Sequence, residues 1–132
     1  MVCLDSTFLI DLLRSKPAAR EKYRELRERG NEATTTPLNA AELFEGAYAS
    51  AKNKDEEVRK ARELVKLIRI LEFNVEASEK YGALSNILKS RGERIGDLDT
   101  LIASIALTHD ETLITRNKEH FDRIQGLRVE SY

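Results

Sequence analysis

Val2-Cys3-Leu4-Asp5-Ser6-Thr7-Phe8-Leu9-Ile10-Asp11-Leu12-Leu13 changes its period in the middle. Val2-Cys3-Leu4 is a short apolar run, the pattern of a strand buried on both faces, and it stops at Asp5. Ser6 can cap the helix that follows, which carries Phe8, Leu9, Leu12 and Leu13. A strand that hands over at once to a helix opens a βα unit. Repeated units of that kind build parallel sheets covered by helices.

The rest of the chain repeats the alternation. A charged helix runs from Pro17 to about Arg29 and ends at Gly30-Asn31. Ala33-Thr34-Thr35-Thr36 is a short β-branched strand, and Pro37 opens a helix with Ala40, Leu43, Phe44, Ala47 and Ala51 on one face. A helix from about Asp55, with Val58, Ala61, Val65 and Ile68 inward, leads into a third strand at Ile70-Leu71-Glu72-Phe73. Val75 to Ser90 reads as a helix broken at Gly92, and Gly96-Asp97 starts another, with Leu98, Leu101, Ile102 and Ile105 inward. Thr112 to Thr115 is a fourth strand, Asn117 to Ile124 a short helix, and Leu127 to Glu130 a terminal strand. The expected fold is an α/β/α three-layer sandwich on a central, mainly parallel five-stranded sheet, in one domain over residues 1–132.

Composition narrows the function classes. Hydrophobic residues make up 41% of the 132 and charged residues 34%, the profile of a soluble globular protein. With one cysteine, Cys3, no internal disulfide forms, and a reducing, cytoplasmic setting is expected. Apolar runs fall far short of a membrane span, and Asp5 and Asp11 interrupt the first of them, against a signal peptide. Twenty-two basic residues stand against 23 acidic ones, so any nucleic-acid binding must rest on local patches. No GxGxxG or GxxxxGK[ST] phosphate loop is present.

In open α/β sheets, ligands sit beyond the carboxyl ends of the strands. The residues placed there are Asp5 and Ser6 after strand one, Glu42 after strand two, Asp97 and Asp99 before strand four, and Thr115 and Asn117 after it. Each has an ordinary alternative: Asp5 and Asp97 as helix caps, Glu42 as a surface helix residue, Asn117 as a cap. Taken together, carboxylates crowded at one edge repel and ask for protons, basic partners or a hard divalent cation. With oxygen ligands alone, Mg²⁺ or Mn²⁺ is the natural cation. His109 reads as a helix C-cap, His120 as a surface residue and Cys3 as core. Gly46, one turn below Glu42, costs helix stability, and its missing side chain leaves space for a ligand or for tight packing.

Four segments carry a resemblance: the opening string above, Ala41-Glu42-Leu43-Phe44-Glu45-Gly46, Ile95-Gly96-Asp97-Leu98-Asp99-Thr100-Leu101-Ile102-Ala103, and Leu113-Ile114-Thr115-Arg116-Asn117 followed by His120-Phe121. In this order they resemble a PIN domain, and the compact form is most similar to VapC-type toxins, the ribonucleases of prokaryotic toxin–antitoxin pairs. The resemblance implies an endoribonuclease with Asp5, Glu42 and Asp99 as catalytic and metal-binding acids and Asp97 as a further ligand. Ser6, Thr115 and Asn117 would support the site, Asn117 standing where many relatives have a fourth acid. It also implies Mg²⁺ or Mn²⁺, an RNA substrate, a homodimer and a cognate antitoxin. Arg14, Lys16, Arg91, Arg94 and Arg116 are the expected RNA-binding cations. A PIN-like module that binds RNA or protein without cleaving is the alternative. A haloacid-dehalogenase-like phosphatase is disfavoured, because Asp5 is followed by Ser6 and Thr7 where that chemistry wants a second acid.

Overall fold

A computed structural model describes all 132 residues. Five short strands, β1 (Val2–Leu4), β2 (Ala33–Thr35), β3 (Arg69–Ile70), β4 (Thr112–Ile114) and β5 (Val129–Glu130), form one sheet in the order β3-β2-β1-β4-β5. Every pairing is parallel, so the sheet is more uniform than the mainly parallel one expected. Seven helices connect the strands: α1 (Ser6–Leu13), α2 (Pro17–Glu28), α3 (Pro37–Tyr48), α4 (Lys54–Lys66), α5 (Val75–Ser90), α6 (Asp97–Thr108) and α7 (Lys118–Phe121).

Strand alternation divides the core in two even though the strands are apolar throughout. Val2 and Leu4 of β1 and Ile114 of β4 point to one face, against Phe8, Leu9, Ala19, Leu26, Leu43 and Ala61. Cys3 and Leu113 point to the other, against Ile102, Ala103, Ile105 and Phe121. Helices α1 to α4 therefore cover one side and α5 to α7 the other, which gives the three layers. Phe8 is fully buried, a contribution of roughly 2–3 kcal/mol from its side chain alone.

The element boundaries differ from expectation where a strand has one neighbour. β3 covers Arg69 and Ile70 rather than residues 70–73, because as an edge strand it pairs with β2 alone and the chain leaves after Leu71 donates to the Thr35 carbonyl at 2.8 Å. The other edge strand, β5, starts at Val129 rather than Leu127, whose side chain packs into the core. α7 ends at Phe121, and the residues to Ile124 continue as turns.

The sheet order decides where a site forms. β1 is central, with β2 on one side and β4 on the other. The connection after β1 leads to β2 and the one after β4 leads to β5, so the chain leaves these two adjacent strands in opposite directions, the crevice-forming arrangement of open α/β sheets.

Candidate active site

Asp5 follows β1 at that crevice and is 2% exposed. It occupies the N-cap position of α1 in extended conformation, yet its side chain makes no capping bond. Its oxygens are engaged across the sheet instead. Asn39 Nδ2 donates to Oδ1 at 2.9 Å, and the Thr115 and Thr7 hydroxyls donate to Oδ2 at 2.7 and 3.1 Å. A capping role for Asp5 is thereby excluded. Ser6 is not a cap either: it is the first residue of α1, and its hydroxyl donates to Glu42 Oε1 at 2.7 Å.

The donors to Asp5 are themselves fixed. Thr36, the N-cap of α3, accepts the Asn39 N–H at 3.1 Å and donates to Asn39 Oδ1 at 2.7 Å, which turns the amide N–H toward Asp5. The Thr115 hydroxyl also accepts the Asn117 N–H at 3.0 Å, so the turn after β4 is tied to the same carboxylate. Asn39 lies three residues before Glu42, on the same face of α3.

Glu42 and Asp99 complete the cluster. Partial burial pushes the Glu42 carboxyl up from the ordinary range; the Ser6 hydrogen bond opposes this, and the charges of Asp5, Asp99 and Glu45 add to it. Asp99, in the first turn of α6, is likewise pushed up by burial and then by Asp5, while His120 pulls it down. His120 Nδ1 stands 3.6 Å from Asp99 Oδ2. The three acids thus feel one another's charge, although no three Asp, Glu, His or Cys side chains stand close enough together to hold a metal ion as they are placed. The donor set consists of hard carboxylate oxygens with mutual repulsion to relieve, and that chemistry fits Mg²⁺ or Mn²⁺.

Other expected residues fall elsewhere. Asp97 is a correction: its side chain is 71% exposed and pairs with Arg94 at 3.8 Å, and its charge is not among those that shift Glu42 or Asp99. Two residues of helix, a rotation of about 200°, separate it from Asp99 and turn it to solvent; Leu98 between them, expected inward, is also exposed at 38%. Nor does it cap α6, whose N-cap is Gly96 at φ +98°, a conformation suited to glycine. Asn117 is exposed, makes no side-chain cap, and lines a polar cavity of about 500 Å³ with Arg116, Lys118 and His120. Arg116 adjoins Thr115, whereas Arg14 and Lys16 lie past the far end of α1, roughly 12 Å along its axis. Arg91 and Arg94 are exposed on the turn between α5 and α6. Gly46 is open on its Cβ side, with nothing within 4 Å, and lines a groove of about 480 Å³ with Ile10, Leu13 and Leu43 rather than packing tightly. His109 is the C-cap of α6 as expected, with Nε2 2.9 Å from the Glu72 carbonyl oxygen.

Sequence reasoning missed Thr7, Asn39 and His120. The spacing of Thr7 from Asp5 and of Asn39 from Glu42 was a usable signal; the contact between His120 and Asp99 had none.

Comparison with known proteins agrees with this fold. Residues 2–127 match the model of the PIN domain family. The chain is 30% identical over 129 residues to ribonuclease VapC2 of Rickettsia felis, covering 98% of this chain and 96% of that protein. It is also 30% identical over 130 residues to ribonuclease VapC1 of Haemophilus influenzae, with the same coverage. Among solved structures, VapBC2 of Rickettsia felis bound to a DNA fragment from its promoter superposes with a TM-score of 0.89 at 28% identity, covering 100% of this chain and 99% of the matched one. The strand order, the acidic crevice at the carboxyl end of β1 and these full-length matches place the chain in the PIN domain family, among the VapC ribonucleases.

Proposed function

We propose that this chain is a divalent-metal-dependent endoribonuclease and the toxin of a VapBC-type toxin–antitoxin pair. The observation that carries the reading is the electrostatic coupling of Asp5, Glu42 and Asp99 at the carboxyl end of the sheet. Asp5, Glu42 and Asp99 are the residues that would hold Mg²⁺ or Mn²⁺. A cation held there would lower the pKa of water and stabilise charge on the phosphodiester oxygens.

The chain's own groups prepare that chemistry. Asn39, Thr7 and Thr115 fix both oxygens of Asp5, so its carboxylate is oriented before anything binds. Ser6 holds Glu42, either to bind the cation or to orient the attacking water. An acidic crevice repels a phosphate backbone until its charge is offset, so cation and RNA bind together. A cognate antitoxin would act by blocking this crevice, and the active form is read as a cytoplasmic homodimer. No helix is long and apolar enough to cross a membrane.

The test incubates end-labelled structured and unstructured RNA with the purified chain in Mg²⁺, Mn²⁺ or EDTA, beside Asp5→Asn. Cleavage that needs both the metal and Asp5 is expected. RNA binding without cleavage under every condition would favour the non-catalytic module.

A further inference from the structure

Asp11 is a buried acid that the site above leaves unused. It lies on α1, fewer than two turns beyond Asp5, and is 4% exposed. Its Oδ2 accepts the Tyr132 hydroxyl at 2.7 Å and faces Arg116 Nε at 3.4 Å. Its Oδ1 is buried with no hydrogen-bond partner. A buried carboxylate left half satisfied is costly, and such groups call for an explanation beyond packing.

Arg116 is the one cation that faces this carboxylate, at its Oδ2. Its backbone N–H donates to the Thr7 hydroxyl at 3.3 Å, so it is stitched to the threonines that hold Asp5. Its side chain is 52% exposed and makes one ion pair, through Nε to Asp11. The terminal amino groups of the guanidinium make no hydrogen bond within the chain, and Asp11 is the one acid that pairs with this side chain. Arg116 also lines the polar cavity that reaches His120, and His120 touches Asp99. Lys118 on the same cavity is already neutralised by Asp122 at 2.8 Å. Arg116 is therefore the cation of this cavity with donors to spare.

We infer that Arg116 grips an RNA phosphate beside the acidic crevice, and that Asp11 and Tyr132 are positioning residues that aim its guanidinium. A planar fork with one edge anchored suits bidentate phosphate contact. Tyr132 is braced edge-on against the Phe8 ring at 4.7 Å and 88°. Burial and the neighbouring Asp11 push its phenol up, so it remains a donor. By taking part of the Asp11 charge, the phenol leaves the guanidinium at a long contact, with its charge available to the phosphate. The inference rests on the ribonuclease reading and adds to it the group that holds the RNA backbone.

The test measures cleavage kinetics for Arg116→Ala, Asp11→Asn and Tyr132→Phe, and RNA binding for the same changes placed on Asp5→Asn, where the RNA survives. Arg116→Ala is expected to raise KM and weaken binding about tenfold. It should also make the salt dependence shallower by about 0.7 in log–log slope, one phosphate contact on a single strand. Tyr132→Phe and Asp11→Asn should act in the same direction, about threefold, and add nothing in the Arg116→Ala background. Lowered melting temperatures with KM and salt slope untouched, or effects that add to Arg116→Ala, would overturn the inference. Cleavage abolished by Asp5→Asn but indifferent to Arg116→Ala would sink it while leaving the nuclease standing. A chain that binds RNA through Arg116 but does not cleave would retire the nuclease and keep the contact. A chain that neither binds nor cleaves RNA removes both.

Discussion

Two carboxylates are buried at opposite ends of the same sheet, and they do different things. Asp5, past the carboxyl end of β1, is 2% exposed; Glu111, just before β4 at the amino end, is 3% exposed. Glu111 Oε1 stands 2.9 Å from the Thr34 hydroxyl, which shares its proton with the Val2 carbonyl. Its neighbour Asp110 turns away to solvent and pairs with Arg128 at 3.1 Å. Asp5, by contrast, gathers donors from three elements and has Glu42 and Asp99 within reach of its charge. Burial of an acid is thus shared by a structural anchor and a reactive site. The charges of further acids carried by separate elements, felt at one end of the sheet, distinguish them.

The largest expected effect separates the two ends directly. Asp5→Asn should reduce RNA cleavage by more than the roughly 10–100-fold typical of groups that only orient a metal ligand, with its melting temperature unchanged or higher. Glu111→Ala should do the reverse, melting several degrees lower while cleaving within about twofold of wild type. A collapse of the fold in Asp5→Asn would erase the distinction. Next, Mg²⁺ or Mn²⁺ at about 100 times its Kd should stabilise the wild type by about 2.7 kcal/mol, and Asp99→Asn by distinctly less. Equal stabilisation of both would place the metal away from the crevice.

Smaller effects sharpen the picture. Ser6→Ala removes the hydrogen bond that holds Glu42 and should slow cleavage roughly tenfold with little change in melting. The least effect is on stability without metal. Burial and neighbouring charges raise the Glu42 carboxyl in the folded chain, so the folded state binds more protons than the unfolded one between the ordinary glutamate value and the raised one. The resulting penalty is full above the raised value, fades as pH falls from the raised value to the ordinary one, and is absent below it. In EDTA, Glu42→Gln should therefore melt higher than wild type at neutral pH, with the gain lost in acid. A pH-independent difference would assign it to packing.

Much of this was legible because it depends on local pattern. The stop at Asp5, the proline that opens α3 and the glycine before α6 are each set by a few adjacent residues, and they bring Glu42 and Asp99 to the same end as Asp5. What stayed hidden depends on rotation and long-range contact. Asp97 read as a helix cap or a further ligand beside Asp99, and the turn of α6 sends it to solvent instead. Asp11 read as an interruption of an apolar stretch, yet it meets Tyr132, 121 positions away, inside the protein. The short edge strands were misplaced by one to three residues at their ends because pairing on one side leaves those ends to the loops.

Cys3 lies between the two buried acids, on the central strand, and is completely enclosed. Enclosure first, then Asp5 and Glu111, hold its thiol protonated and unreactive. A thiol reagent can reach it only after β1 parts from its neighbours, and no other cysteine competes for the label. The rate of its modification is therefore a clock for the opening of the sheet, read one molecule at a time by mass, and bound metal or RNA should slow that clock to the degree that it holds the crevice shut.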